Sequence, residues 1–265
     1  MMVISLIIIL GLIFGSFASM ASYELGAKDG KLLNIIIRRS FCPKCNNILK
    51  IKNLFPVLSW LFQRGRCSFC HSKISYRYVL TEILCVALFV TSYFALGQKL
   101  DIHLYLILTI IVILMVASIV DLEHYFIPNI TQIILVILAV FYHIFVTNNV
   151  DIKTYLISGF LYGLFIYFIF YLFLIIRGRC VIGSDDLKFF PIAGLFLGLE
   201  NFVYFIAFLG IFGIICGTGW KFFKQENCFP FAPALSLALM TNLWGFNKLF
   251  DLADILECVI LECVG

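Results

Sequence analysis

Two parts of this chain carry residue types that do chemistry when brought together. Cys42, Cys45, Cys67 and Cys70 form a C-x2-C pair, a 21-residue interval and a second C-x2-C pair. Each pair offers two thiolates, and four thiolates make one tetrahedral site for Zn²⁺. Farther on, SIVDLEHYFIPN sets Asp121 at the end of a long apolar run, and IGSDDLKFF sets Asp185, Asp186 and Lys188 where another begins. Two carboxylates that meet share one proton, because like charges at close range do not both ionise. The ionised one can deprotonate a water while its protonated partner polarises a carbonyl and later protonates the leaving amine. That is peptide hydrolysis without a covalent intermediate.

Each group also has a plainer reading. The four cysteines could form two disulfides or redox-active thiols, and His71 could replace Cys70 as a ligand or stand beside it as a bystander. Asp121 could be an interfacial cap with Glu123 and His124 as solvated neighbours. Asp185 and Asp186 suit the positive end of a helix dipole, and Lys188 suits a snorkelling position at a membrane boundary.

The elements that must position these residues are apolar helices. Of the 265 residues 63% are hydrophobic and 13% charged, against about 25% charged in an ordinary soluble domain. The expected fold is an all-α polytopic membrane protein of about eight transmembrane helices with a small zinc-binding loop domain. The apolar runs lie near residues 3–21, 79–96, 102–120, 127–147, 154–176, 187–199, 202–219 and 229–247. The sixth is short, which suits a re-entrant segment or a thinned bilayer. The first run lacks a basic n-region and a small-residue cleavage site, so it is expected to be retained as a span. The remaining six cysteines show no pairing pattern and read as small buried hydrophobes.

Orientation follows from the cations. Eleven of the 19 lysines and arginines fall between Tyr23 and Arg77, and five more lie in the loops before the sixth and eighth runs. Only Lys99, Lys153 and Lys248 remain for the other side. Basic residues are held in the cytoplasm, so the cysteine loop is expected there, with both termini outward. The net charge of +4 is then a topology signal, with no nucleic-acid patch implied. Cytoplasmic thiols stay reduced, which favours metal over disulfide. A loop of this size is marginal as an independent core, so the metal would supply much of its folding free energy. Counting spans puts Asp121 and Asp186 on this same side at the membrane boundary, where buried charge is costly and marks function.

The expected organisation is a first transmembrane helix at 1–22, a cytoplasmic four-cysteine zinc loop domain at 23–77, a transmembrane domain of about seven helices at 78–248, and a tail at 249–265 with no assigned role.

These stretches together resemble the type IV prepilin peptidases, a family of polytopic aspartic proteases that are leader peptidases and N-methyltransferases. The resemblance covers most of the chain. GLIFGSFASMASY resembles the family's G-S-F-x-N opening, with Ala18 and Ser19 departing from it. FCPKCNN and FPVLSWLFQRGRCSFCHSKISYRYVLTEI resemble its zinc loop and the S-x-R-Y-x-x-x-E start of the second span. SIVDLEHYFIPN resembles its first catalytic motif, GSDDLK its G-x-G-D-x-K motif, and NCFPFAPALSLALM its P-F-x-P motif.

The resemblance implies that Asp121 and Asp186 are catalytic, with Gly183 and Lys188 in motif positions. It implies a substrate that is the basic leader of a type IV prepilin or pseudopilin, cut on the cytoplasmic side after a glycine at the bacterial inner membrane. S-adenosylmethionine would then methylate the new amine, although no glycine-rich loop stands out for that cofactor. Glu82 is a candidate contact for a cationic leader or amine, or else a helix-end residue paired with a nearby arginine. One departure is Asp185, where the motif has its second glycine; a glycine there permits positive φ, which Asp also tolerates, and the extra carboxylate could disturb Asp186. Asn129, where the family often has Asp, removes a rival carboxylate. Other classes remain: a noncatalytic membrane scaffold of pilus or secretion machinery, and a transporter, whose carboxylates would sit nearer the bilayer midplane.

Overall fold

A computed structural model describes residues 2–26, 40–42, 44–49, 55–146, 152–177, 183–224 and 229–246. Among these the chain is almost wholly helical: α1 (Met2–Gly26), α2 (Leu58–Phe62), α3 (Arg77–Ala95), α4 (Ile102–His124), α5 (Asn129–Phe145), α6 (Ile152–Arg177), α7 (Ser184–Leu197), α8 (Phe202–Lys224) and α9 (Ala232–Leu243). No strand is present among the described residues; two isolated bridges, Phe41 with Ile48 and Arg66 with Lys73, lie in the cysteine loop. The eight apolar runs all fall on helices, and α2 is the one described helix outside them. The tail at 249–265 lies outside the described residues.

Among the described residues five helices, α1, α3, α4, α6 and α8, are long and apolar enough to cross a membrane. The three shorter helices on the apolar runs, α5, α7 and α9, have 17, 14 and 12 residues. At 1.5 Å per residue they span about 26, 21 and 18 Å, less than the roughly 30 Å of a hydrocarbon core. Helix α9 begins three residues later than the apolar run that contains it. Pro230 lies before it and Pro233 in its first turn, where the missing N–H costs nothing.

The chain forms two compact units, Met1–Leu138 and Ala139–Gly265. In the first, α1 packs on α3 and α4, and α3 on α4. The α1–α3 approach depends on Gly11 and Gly15. A Cβ at Gly11 would lie 2.8 Å from Val86 Cα, and one at Gly15 would lie 2.7 Å from Glu82 Cα. Lipid tails are as apolar as leucine, so helices in a bilayer associate through such close small-residue contacts and through hydrogen bonds. Ser19 and Thr81 bond through their hydroxyls one turn further along, and Ser22 donates to the Ser19 carbonyl at 2.9 Å.

Helix α4 is the most buried element of this unit, with Ile107, Ile110, Ala117 and Val120 fully enclosed. Asp101 caps its start by accepting from the Leu104 N–H at 2.9 Å. Tyr125, with φ 59°, ends it and donates to the Asp121 carbonyl at 2.9 Å.

In the second unit α6 packs on α7, α8 on α9, and α7 on α9. Pro191 inside α7 removes a helical hydrogen bond; a Cβ at Gly163 would stand 3.0 Å from its ring, and other glycines let α6 and α7 approach closely. A Cβ at Gly159 would lie 2.9 Å from the Pro191 carbonyl, and one at Gly194 would lie 2.8 Å from Gly159 Cα. The Tyr162 hydroxyl locks the end of α7 by donating to the Gly198 carbonyl at 3.0 Å. Large apolar side chains such as Phe160, Phe168, Ile175 and Val203 point outward, as suits surfaces that face hydrocarbon rather than water.

Candidate active site and metal centre

The cysteine loop is built from two copies of one turn, 25 residues apart. The Cys42 N–H donates to the Asn47 carbonyl at 3.0 Å, and the Cys67 N–H to the Ser72 carbonyl at 2.9 Å. Asn46 and His71 donate back to Cys42 and Cys67 at 2.8 and 3.0 Å. Leu49 closes on Ser40 and Ile74 on Gly65, at 2.9 and 2.7 Å. Asn46 and His71 hold the same left-handed corner, at φ 55° and 54°, a conformation for which Asn and His are enriched. His71 is thus the corner residue of its turn, and the cysteines supply the sulfur cluster.

The ligand atoms of Cys42, Cys45, Cys67 and Cys70 all lie within 4.8 Å of one another, with Cys42 Sγ 3.9 Å from Cys70 Sγ. Four sulfurs each about 2.3 Å from one Zn²⁺ would stand about 3.8 Å apart at tetrahedral corners. The four thiols are free, as are Cys85 and Cys216. Cys85 is buried and Cys216 half-buried, while Cys180, Cys228, Cys258 and Cys263 lie outside the described residues.

The electrostatics also suit a cation. The Ser72 hydroxyl, 3.1 Å from Cys70 Sγ, and the Ser72 N–H stabilise the Cys70 thiolate and pull its pKa down to about 6. The Asn47 N–H favours the Cys45 thiolate too, but desolvation and the neighbouring Cys42 and Cys70 outweigh it and push Cys45 up to about 11. Cys42 loses solvent on burial, yet bonds from the Cys45 and Lys44 backbone lower its pKa. The cluster therefore fits a thiolate-bound divalent metal, whose charge would allow all four sulfurs to ionise together.

The two aspartates lie in different units. In the first, Asp121 sits in the last turn of α4 and is only 5% exposed. Its neighbour Glu123 is not merely solvated, because it pairs with Arg77 at the start of α3. The Arg77 Nε and Nη2 atoms are buried and have no hydrogen-bond partner among the described residues. Arginine thus goes to Glu123, and Glu82 is held differently. Glu82 is 6% exposed and its Oε2 accepts from the Val57 N–H at 2.7 Å.

In the second unit Asp186 is half-buried in the first turn of α7. A Cβ on Gly183 would stand 3.0 Å from Asp186 Oδ2, so this glycine leaves room for the carboxylate. Asp185 needs no left-handed backbone; it is an ordinary helical residue whose Oδ1 binds Lys188 Nζ at 2.8 Å. The carboxylate that replaces the motif glycine is therefore engaged by the motif lysine. Asn129 is the first residue of α5.

Glu24 was not singled out from the sequence, yet it is 6% exposed in the last turn of α1. Its signal was its isolation, as the one charge in a 25-residue apolar helix.

Comparison with known proteins agrees with this layout. Residues 9–96 match the bacterial peptidase A24 N-terminal domain, and residues 108–218 match the type IV leader peptidase family. A prepilin leader peptidase/N-methyltransferase of Bacillus subtilis (strain 168) is 28% identical, over 91% of this chain and 94% of the relative. Proteins of the same name from Dichelobacter nodosus and Vibrio cholerae are 29% and 26% identical, over 80% and 88% of this chain and 73% and 92% of theirs. No solved structure matches. With both family domains present in order along one multi-helix chain, the protein belongs to the type IV leader peptidase family, and it is an enzyme.

Proposed function

We propose that this protein is a membrane-embedded aspartic endopeptidase that removes the leader of type IV prepilins or pseudopilins, with Asp121 and Asp186 as the catalytic pair. The observation that carries the reading is the burial of Asp121 at the end of a membrane-length helix, since charge in such a place is retained for function. If all eight apolar helices cross, Asp121 and Asp186 stand at the cytoplasmic face, on the side of the cysteine loop. A substrate helix lying in the bilayer then brings its scissile bond to that level as its basic leader enters water. One aspartate deprotonates the attacking water, and the other protonates the leaving amine. Gly183 leaves room for the Asp186 carboxylate.

In this reading the protein lies in the bacterial inner membrane, and the cysteine cluster holds a structural Zn²⁺ that organises the loop. The names of the relatives support a second activity, methylation of the new amino terminus from S-adenosylmethionine. The test is co-expression with a prepilin in cells that lack their own leader peptidase, followed by intact mass measurement of the pilin. Loss of the leader with a gain of about 14 Da supports both activities. Full-length prepilin contradicts the proposal.

A further inference from the structure

Helix α2 carries its polarity the wrong way round for water. Ser59, Trp60 and Gln63 turn inward and line a cavity of about 190 Å³ that the end of α1, the cysteine loop and the start of α3 enclose. Leu58, Leu61 and Phe62, at spacings i, i+3 and i+4, turn outward, and Phe55 lies just ahead of them. All four are more than half exposed, Phe62 by 82%. A surface helix in water buries its apolar stripe and shows its polar one. Neighbouring exposed apolar side chains of this kind mark a contact with protein or membrane.

The helix is pinned at the membrane boundary. The Val57 N–H, immediately before α2, donates to Glu82 Oε2 at 2.7 Å. Glu82 stands on the second turn of α3, about 8 Å along its axis from Arg77. Leu80, Ile83 and Leu84 beside it are exposed on a helix of membrane-spanning length. Val57 is a β-branched residue at φ 58° and ψ −52°, a strained turn that persists only where its surroundings over-determine it. Helix α2 therefore starts at a level where α3 already presents leucine and isoleucine to hydrocarbon. Trp60 fixes the inner face through its Nε1–H on the Ile74 carbonyl at 3.3 Å, which leaves the apolar face outward.

The chain around α2 is basic throughout. From Gly30 to Thr81 it has ten lysines and arginines and no acidic residue, and a four-thiolate Zn²⁺ site would offset only two of those charges. Arg64 and Arg66 follow α2 directly, Lys73 opposes Arg66 across the bridge of the second cysteine turn, and all three are exposed. Like charges set opposite one another repel, and an anion beside them relieves the repulsion. A second copy of this chain would bring the same cations against its own. A bilayer surface supplies both parts of the complement, phosphates for the cations and acyl chains for the apolar face. We propose that α2 and the cations beside it dock the cysteine loop on an anionic lipid surface, with Phe55, Leu58, Leu61 and Phe62 entering the acyl boundary and Arg64, Arg66 and Lys73 holding lipid phosphates.

The test uses the purified full-length protein with its metal bound, in nanodiscs of phosphatidylcholine alone or of equal parts phosphatidylcholine and phosphatidylglycerol. Phe62→Trp and, separately, Leu61→Trp report from the apolar face, their fluorescence read as the difference from wild type. Metal content and thermal unfolding check the fold of each. Lipids brominated on their acyl chains should quench the added emission, and more strongly when phosphatidylglycerol is present. Added salt should remove that dependence on phosphatidylglycerol, as should Arg64→Gln, Arg66→Gln and Lys73→Gln combined in the same background. Quenching that is equal in the two lipid compositions overturns the assignment to anionic lipid. Added emission that escapes the brominated lipids but is quenched by aqueous iodide places the face in water. Emission shielded from both places it against protein, a second copy or another partner, and either result overturns the docking.

Discussion

Asp185 is the residue where this chain departs most from its family motif, and its surroundings explain how the departure is accommodated. The carboxylate engages Lys188 across one helical turn, on side chains that are partly exposed, where such a pair contributes less than about 1 kcal/mol. Asp185→Asn is therefore expected to keep cleavage and to change thermal stability little; complete loss of cleavage would mean that Asp185 takes part in the reaction. The cysteines were legible at this scale because each C-x2-C turn closes on itself within ten residues. Gly183 was legible through its motif, although its role is room for Asp186 and not an unusual φ. The hold on Glu82 was not legible. It comes from a backbone N–H 25 residues earlier, and sequence pattern says nothing of where a strained turn points its amide.

At the scale of elements, α1 and α3 meet through glycine, as do α6 and α7. Gly15→Ala would place a methyl 2.7 Å from Glu82 Cα, and Gly194→Ala one 2.8 Å from Gly159 Cα. Each should lower the unfolding midpoint through a cost of about 1–3 kcal/mol. Gly210→Ala on α8, with nothing among the described residues within 4 Å, should change it little or raise it. Equal effects at the three sites would contradict the packing described.

The cysteine loop makes a separate prediction. Ligands must be deprotonated for metal to bind. Metal uptake by the stripped protein at pH 7 should therefore release the proton of Cys45, at about 11, and little from Cys70, at about 6. Titration with Zn²⁺ in buffers of different ionisation enthalpy counts those protons, and a count of zero would contradict thiolate ligation. Helix number was readable from apolar runs. The trimmed start of α9 was less so, because it depends on Pro230 and Pro233 inside an otherwise apolar run.

For the whole molecule, the cation bias and the two units carry the account. The bias predicts that a cysteine introduced at Gln63, in a background lacking other accessible thiols, reacts with a membrane-impermeant maleimide only after the inner membrane is opened. One at Gln98, between α3 and α4, should react in intact spheroplasts, and the reverse pattern would invert the proposed topology. Membership in the leader peptidase family was legible because its motifs lie in short, separate stretches of the sequence. The cavity beside the cysteine loop was not, since three segments far apart in sequence build its wall.

The central claim is that two aspartates cut the leader, and the most direct test is single-turnover cleavage of a prepilin by purified wild type, Asp121→Asn, Asp186→Asn and Asp185→Asn, read by intact mass. The account predicts loss of cleavage in the first two variants, with metal content and thermal unfolding unchanged, and product from the third. Full cleavage by either Asp121→Asn or Asp186→Asn would contradict it.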